Sequence, residues 1–263
     1  MIFKILPYMR CPRCSGNDLH SVSDGLSCHS CGTLYPMRSG ILDMLGNDTQ
    51  EVITPFQRLM QMPVIVSIYE KFWRRSGYYV ASSRSFAEEM QTVLRMGKRV
   101  SPDRALDLAC GPGVFTRPLS RVVGSLVVGL DLSWPMLIRA QRIAEREGIS
   151  HVLFLRATVF SLPFANSAFP YVNCCGALHL FDRPSAAIAE ISRVLEPGGY
   201  LCVQTTIRPS RSAGFAHFLE RFIRFGFFEE TELREQLRVH GLSIVDSERH
   251  RISFTFLARR DAR

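Results

Sequence analysis

The sequence predicts an α/β fold, a parallel sheet flanked by helices, with a small cysteine-bearing module in front of it. Three observations carry that expectation. Apolar runs of strand length alternate with helical patterns from Ala105 to about Thr206. The first run, Ala105-Leu-Asp-Leu108, enters the glycine-rich turn Ala109-Cys-Gly-Pro-Gly113, and the next, Val127-Val-Gly-Leu-Asp131, ends in an acid eighteen residues beyond Gly113. Near the N-terminus, Cys11-Pro-Arg-Cys14 and Cys28-His-Ser-Cys31 form two knuckles separated by thirteen residues.

The glycine turn and the second acid describe a βαβ unit whose turn receives a nucleotide-like ligand. Glycines at 111 and 113 let backbone N–H groups approach a ligand, and Asp131 stands where a carboxylate accepts both ribose hydroxyls. Thr116 occupies the place of the third glycine in the dinucleotide fingerprint, which argues against a nicotinamide cofactor. Strands are expected near 104–109, 126–131, 152–156, 170–175, 200–206, 243–249 and 252–258, with helices between the first five and at 213–224 and 230–240.

The turn resembles the Asp-x-x-x-Gly-x-Gly motif of the Rossmann-like, class I S-adenosylmethionine-dependent methyltransferases. Gly129-Leu-Asp-Leu-Ser-Trp-Pro-Met-Leu137, Arg156-Ala-Thr-Val-Phe-Ser-Leu-Pro-Phe164, Ala168-Phe-Pro-Tyr-Val172, Gly176-Ala-Leu-His-Leu180 and Arg193-Val-Leu-Glu-Pro-Gly-Gly-Tyr-Leu201 are similar, in order, to its later motifs. The resemblance implies a seven-stranded sheet closed by an antiparallel hairpin. It places Asp107, Ala109, Gly111 and Gly113 near the methionine end of the cofactor and Asp131 on the ribose. Leu132, Met136, Thr158, Val159 and Cys175 complete the implied cofactor set. The family usually has Asp at 158, and a threonine hydroxyl is a weaker acceptor for the adenine amino group than a carboxylate.

Two C-x-x-C knuckles at this interval can bring Cys11, Cys14, Cys28 and Cys31 onto one tetrahedral zinc ion. Leu34-Tyr-Pro-Met-Arg-Ser-Gly-Ile-Leu-Asp-Met-Leu45 resembles the end of small zinc-ribbon proteins that activate methyltransferases of the translation machinery. Four thiolates leave no open coordination position, so the zinc is expected to be structural. The opening residues are too short for a secretory segment, which implies a reducing, cytoplasmic setting in which thiols favour metal over disulfide.

The expected organisation is a zinc ribbon at 1–46, a helical linker or lid at 47–100, and the cofactor-binding domain at 101–263. Thr54-Pro-Phe-Gln57 reads as a helix start, and Tyr69-Glu-Lys-Phe-Trp-Arg74 resembles a segment of bacterial and plastid methyltransferases carrying the same ribbon. Tyr69, Trp73 and Tyr78 are lid candidates, with Tyr69 also a catalytic one. In the tail, Phe215, Phe218, Phe222, Phe225, Phe227 and Phe228 form either an aromatic pocket wall or plain core.

With 46% hydrophobic residues, 263 residues bury a sizeable core, and no apolar run reaches the ~18 residues of a membrane span. The formal charge of +8 rests on scattered arginines, with lysine only at 4, 71 and 98 and no block of like charge. A nucleic-acid partner is therefore the second expectation and a small-molecule substrate the first. His179, just past the fourth strand, is the candidate general base, and Cys174 or Cys175 a remote candidate nucleophile. The expected function is methyl transfer to an oxygen, nitrogen or carbon of a small molecule. The alternatives are an rRNA or tRNA base methyltransferase, and a protein that keeps the cofactor as a scaffold for another reaction such as cyclisation.

Overall fold

A computed structural model of the chain describes residues 2–45, Tyr79, 81–209 and 226–262. The expected helix starting at Thr54, the aromatic residues Tyr69, Trp73 and Tyr78, the helix at 213–224, and Phe215, Phe218, Phe222 and Phe225 lie outside the described residues.

The chain opens with a short helix α1 (Ile2–Ile5) and then four short strands, β1 (Leu19–Val22), β2 (Gly25–Cys28), β3 (Leu34–Arg38) and β4 (Ile41–Asp43). Helix α2 (Phe86–Val100) precedes β5 (Arg104–Leu108), α3 (Thr116–Leu119), β6 (Leu126–Asp131), α4 (Trp134–Arg146), β7 (Val152–Arg156) and β8 (Phe169–Cys175). Next come α5 (Pro184–Val194), β9 (Leu195–Thr206), α6 (Glu230–Val239), β10 (Leu242–His250) and β11 (Ser253–Arg260).

All seven expected strands form, within a few residues of their anticipated ends. Strands β7, β6, β5, β8 and β9 run parallel, and β11 and β10 close the sheet as the expected antiparallel hairpin. Among the described residues the sheet nevertheless holds eleven strands rather than seven, in the order β1-β2-β3-β4-β7-β6-β5-β8-β9-β11-β10. The N-terminal module extends it: β4 pairs parallel with β7, setting Asp43 opposite Arg156, and the Met44 N–H donates to the Arg156 carbonyl at 2.8 Å. This pairing covers the outer edge of β7, whose unpaired backbone groups would otherwise be exposed.

A second departure lies between β7 and β8, where no helix forms across residues 157–168. The local backbone finds its partners elsewhere. Arg193 donates to the carbonyls of Leu162 at 3.0 Å and Phe164 at 2.7 Å, and Glu190 accepts the Leu162 N–H at 2.8 Å. Pro163 has no N–H to offer a helical ladder. The loop is further tied to the N-terminus, since Arg10 N–H donates to Pro163 at 3.1 Å and Ala165 N–H to Tyr8 at 2.8 Å.

Two cores sandwich the sheet. One contains Leu108, Leu130, Leu155 and Phe164 and runs on into Ile5, Met9, Leu26 and Tyr35 of the N-terminal module. The other packs Val93 and Met96 of α2, Leu119 of α3, and Leu137 and Ala140 of α4 against Val127, Phe154 and Tyr171. Helix α2 starts with a capping box in which Ser85 and Glu88 satisfy one another's backbone N–H groups. This places Phe86–Val100, the end of the expected linker, on the sheet itself.

Candidate functional site

The candidate cofactor site lies where the paired strands β5 and β6 end. After Asp107 the chain turns tightly: Ala109, Gly111 and Gly113 have φ of 50°, 55° and 74°, in the left-handed region. Cys110 N–H reaches across to Leu130 at 3.0 Å, and Gly113 N–H closes the turn onto Cys110 at 3.0 Å. The two glycines answer different demands. A Cβ at Gly111 would meet no atom within 4 Å, so this residue borders open space where a ligand can approach its backbone. A Cβ at Gly113 would lie 3.3 Å from the Ala140 side chain and 3.5 Å from Phe154, so this glycine serves close packing under α4.

Asp107 is buried, and both its oxygens are held. Thr116 Oγ1 donates to Oδ2 and Asn173 Nδ2 to Oδ1, each at 2.6 Å. Thr116 thus has a purpose of its own in the position where a dinucleotide fold has glycine. Asp131 presents its carboxylate beside the turn, where Gly111 N–H donates to Oδ2 and Ser133 N–H to Oδ1, each at 2.8 Å. Burial raises its pKa, and the backbone N–H groups of Ser133, Gly111 and Leu132 oppose the rise. A carboxylate offers about four acceptor positions, so these backbone donors leave it able to accept from a hydroxyl group.

Leu132 and Met136 follow at the start of α4, with Met136 buried. The Ser133 hydroxyl is buried and has no hydrogen-bond partner among the described residues. Thr158, also buried, accepts the Phe160 N–H at 3.1 Å and keeps its own hydrogen to donate, with Val159 beside it. Cys175 is buried and donates to Asn173 Oδ1 at 3.2 Å. Of the expected cofactor set, Asp107, Gly111 and Asp131 are joined most directly, through the turn and through the hydrogen bond from Gly111 to Asp131.

His179 sits in a single 3-10 turn, Leu178–Leu180, with Nδ1 3.5 Å from Thr205 Oγ1. Its surroundings lower its pKa to about 4 through desolvation. Burial penalises the imidazolium, so the ring is a weaker base than an exposed histidine. Tyr69 lies outside the described residues. Burial pushes the thiols of Cys174 and Cys175 above the ordinary range, and nearby Asp107 adds to the effect. Neither is the low-pKa thiolate that covalent catalysis requires.

A second cluster stands in the N-terminal module, where the sulfurs of Cys11, Cys14, Cys28 and Cys31 all lie within 4.8 Å of one another. Cys11 and Cys31 are 3.7 Å apart and Cys14 and Cys28 3.6 Å. A tetrahedral ion with metal–sulfur bonds of ~2.3 Å needs sulfur–sulfur edges of about 3.8 Å, whereas a disulfide requires about 2.05 Å. The four thiols are thus spaced for a metal ion. Tyr35 Oη lies 3.0 Å from Cys11 and Thr33 Oγ1 3.2 Å from Cys31, where hydroxyls can donate to thiolates. His29 is exposed and outside this group.

The sequence alone does not single out Asn173, Asp43 or Arg156, each of which supports these sites. Asn173 carries the clearest signal, a polar side chain inside the apolar run Val172-Asn173-Cys174.

Residues 106–203 match a family model described as a methyltransferase domain. The chain is 29% identical over 246 residues to an uncharacterized chloroplastic methyltransferase of Arabidopsis thaliana, covering 85% of this chain and 68% of that protein. It is 40% identical over 114 residues to the demethylmenaquinone methyltransferase of Thermus thermophilus, covering 43% of this chain and 51%, about half, of that enzyme. Among solved structures, magnesium protoporphyrin IX methyltransferase from Synechocystis, with S-adenosylhomocysteine bound, shares the fold with a TM-score of 0.56 at 19% identity. That likeness covers 75% of this chain and 99% of the other.

Proposed function

We propose that this S-adenosylmethionine-dependent methyltransferase acts on a small organic molecule. The observation that carries the cofactor half of this reading is Asp131, whose carboxylate is aimed by the Gly111 and Ser133 N–H groups next to the open space at Gly111. When bound, S-adenosylmethionine supplies an electrophilic methyl group on a sulfonium. Methyl transfer asks the protein chiefly to hold acceptor and cofactor in line. In this reading Asp131 takes the ribose hydroxyls, Leu132 and Met136 line the adenine, and Thr158 and Val159 meet its edge. Asp107, fixed by Thr116 and Asn173, forms the floor under the methionine end together with Ala109 and the Gly111 backbone, and Cys175 closes the crevice from β8. His179, neutral at pH 7, orients an acceptor by hydrogen bonding in preference to removing its proton.

The small-molecule half is supported by relatives named for demethylmenaquinone and magnesium protoporphyrin IX, both non-polymeric substrates. Zinc fits the four cysteines by spacing and by donor type, and Cys11, Cys14, Cys28 and Cys31 would fill its coordination shell, so its contribution would be folding energy. A reducing compartment such as the cytoplasm would keep four cysteines available as metal ligands. No described helix is long and apolar enough to cross a membrane.

The test is turnover of methyl-labelled cofactor against total RNA and, separately, against a nuclease-treated metabolite extract. Label in an organic-soluble or small polar product supports the proposal. Label confined to RNA would transfer the function to the base-methylating alternative, and an altered metabolite formed with the methyl group retained on the cofactor would favour the scaffold alternative.

A further inference from the structure

We infer that Asp43 and Arg156 are positioning residues for the cofactor, and that the cysteine-bearing module is through them a built-in support of the crevice. The inference rests on the reading of Asp131 as the ribose ligand.

Arg156 ends β7, and its guanidinium points in two directions at once. Nε donates to the Leu132 carbonyl at 3.1 Å, and Nη1 reaches Asp43 Oδ2 at 3.2 Å. Leu132 is the middle of the turn whose other members are Asp131 and Ser133, and the Ser133 N–H is one of the backbone donors that aim the Asp131 carboxylate. One planar cation therefore grips the centre of the turn that carries the candidate ribose acid. The guanidinium carbon also lies 5.9 Å from the Trp134 ring centre, at the first residue of α4.

A long side chain holds a carbonyl steadily only if its own orientation is fixed. Asp43 supplies that fixing from a different module. It stands opposite Arg156 in the β4–β7 pairing, and its Oδ1 accepts the Leu45 N–H at 3.3 Å. The ion pair is partly exposed, 30% for Arg156 and 16% for Asp43, and such a pair adds little to global stability. Its leverage is local: it orients the guanidinium that restrains the Asp131 turn. A lysine could not replace the arginine, because an ammonium on a flexible stem does not present two donors along fixed, divergent directions.

Asp43→Asn, Arg156→Lys, the double variant and Asp131→Ala should be compared by calorimetric titration with S-adenosylhomocysteine, each alongside a thermal melt. Asp43→Asn keeps an acceptor for the Leu45 N–H while removing the charge. We expect Asp43→Asn and Arg156→Lys each to weaken binding by about 3- to 10-fold with nearly unchanged melting. The double variant should be no worse than Arg156→Lys alone, since both changes cut one path. Wild-type affinity in both single variants, or affinity loss seen only together with a lowered melting temperature, overturns the inference. In that case an affinity loss in Asp131→Ala leaves the crevice reading standing, whereas wild-type binding by Asp131→Ala brings down the crevice reading itself. If Arg156→Lys does not fold, Asp43→Asn decides alone.

Discussion

The Gly111 N–H donates to Asp131 Oδ2 at 2.8 Å, tying the turn after one strand to the acid that ends the next. The two strands are paired in register with Asp107 opposite Gly129, so the fold delivers both groups to the same end of the sheet. A carboxylate pre-aimed by backbone donors binds hydroxyls with less loss of side-chain freedom than a mobile one.

Replacing Asp131 by Ala should weaken S-adenosylhomocysteine binding by at least about tenfold, since charge-assisted hydrogen bonds to two hydroxyls are lost. The acid has a direction in pH as well. Its pKa is raised by burial, so protonation should erode affinity at a higher pH than for an ordinary carboxylate. Titrations across the acidic range would show the fall, and the Asp131→Ala protein should lack that component.

The two glycines of the turn should separate by phenotype. Alanine at either takes on a left-handed backbone, which costs about 1–2 kcal/mol. At Gly113 the new methyl also crowds the Ala140 Cβ at 3.3 Å, which must give by a few tenths of an ångström, so stability should fall further. At Gly111 it enters open space, where it obstructs the ligand and little else. Melting and calorimetry on both variants check this: Gly111→Ala should lose mainly affinity, and Gly113→Ala mainly stability.

Much of this site is legible from the chain because its signals are local. The apolar run into Asp107, the glycine spacing and the acid at 131 each reflect one strand end or one turn, and the strands at 104–108, 126–131 and 152–156 fall where periodicity places them. Asp43, Arg156 and Asn173 escape for the opposite reason. Their roles come from partners on other elements, 113 residues apart for Asp43 and Arg156 and 66 for Asn173 and Asp107. The missing helix at 157–168 has the same origin, since Arg193 and Glu190 on α5 satisfy that backbone. Pairing of β4 with β7 is likewise a tertiary choice, and it turns an expected seven-stranded sheet into one of eleven.

That pairing alters what metal loss should do. Purified protein should carry about one zinc ion per chain, and chelation or Cys11→Ser should release it. A detachable ribbon could unravel by itself. Here the module shares a core with one sheet face, pairs with β7 and bonds to the loop at 163–165. The melting temperature of the whole protein should therefore fall by about 5 °C or more. Elemental analysis with a melt checks both, and Tyr35→Phe, which removes the hydroxyl 3.0 Å from Cys11, should weaken metal retention while leaving the four sulfurs in place.

His179 gives the remaining prediction, and its sign follows from its pKa. Desolvation holds it at about 4 in the folded chain, below the ~6.5 of an unfolded histidine. Between those values the unfolded state binds more protons, so stability rises with pH there. The contribution is fully present above about pH 6.5 and is lost progressively as pH falls toward 4. In denaturant melts from pH 7 to pH 4, His179→Asn should flatten this part of the profile. The same variant tests catalysis: at pH 7.5 a general base would show itself as a loss of about 10²-fold or more in single-turnover rate, whereas a neutral orienting imidazole should cost less than about tenfold. A large loss in rate with cofactor affinity and folding intact would return His179 to the role of base, and a small loss with a flattened stability profile fixes it as a buried, neutral side chain beside the acceptor.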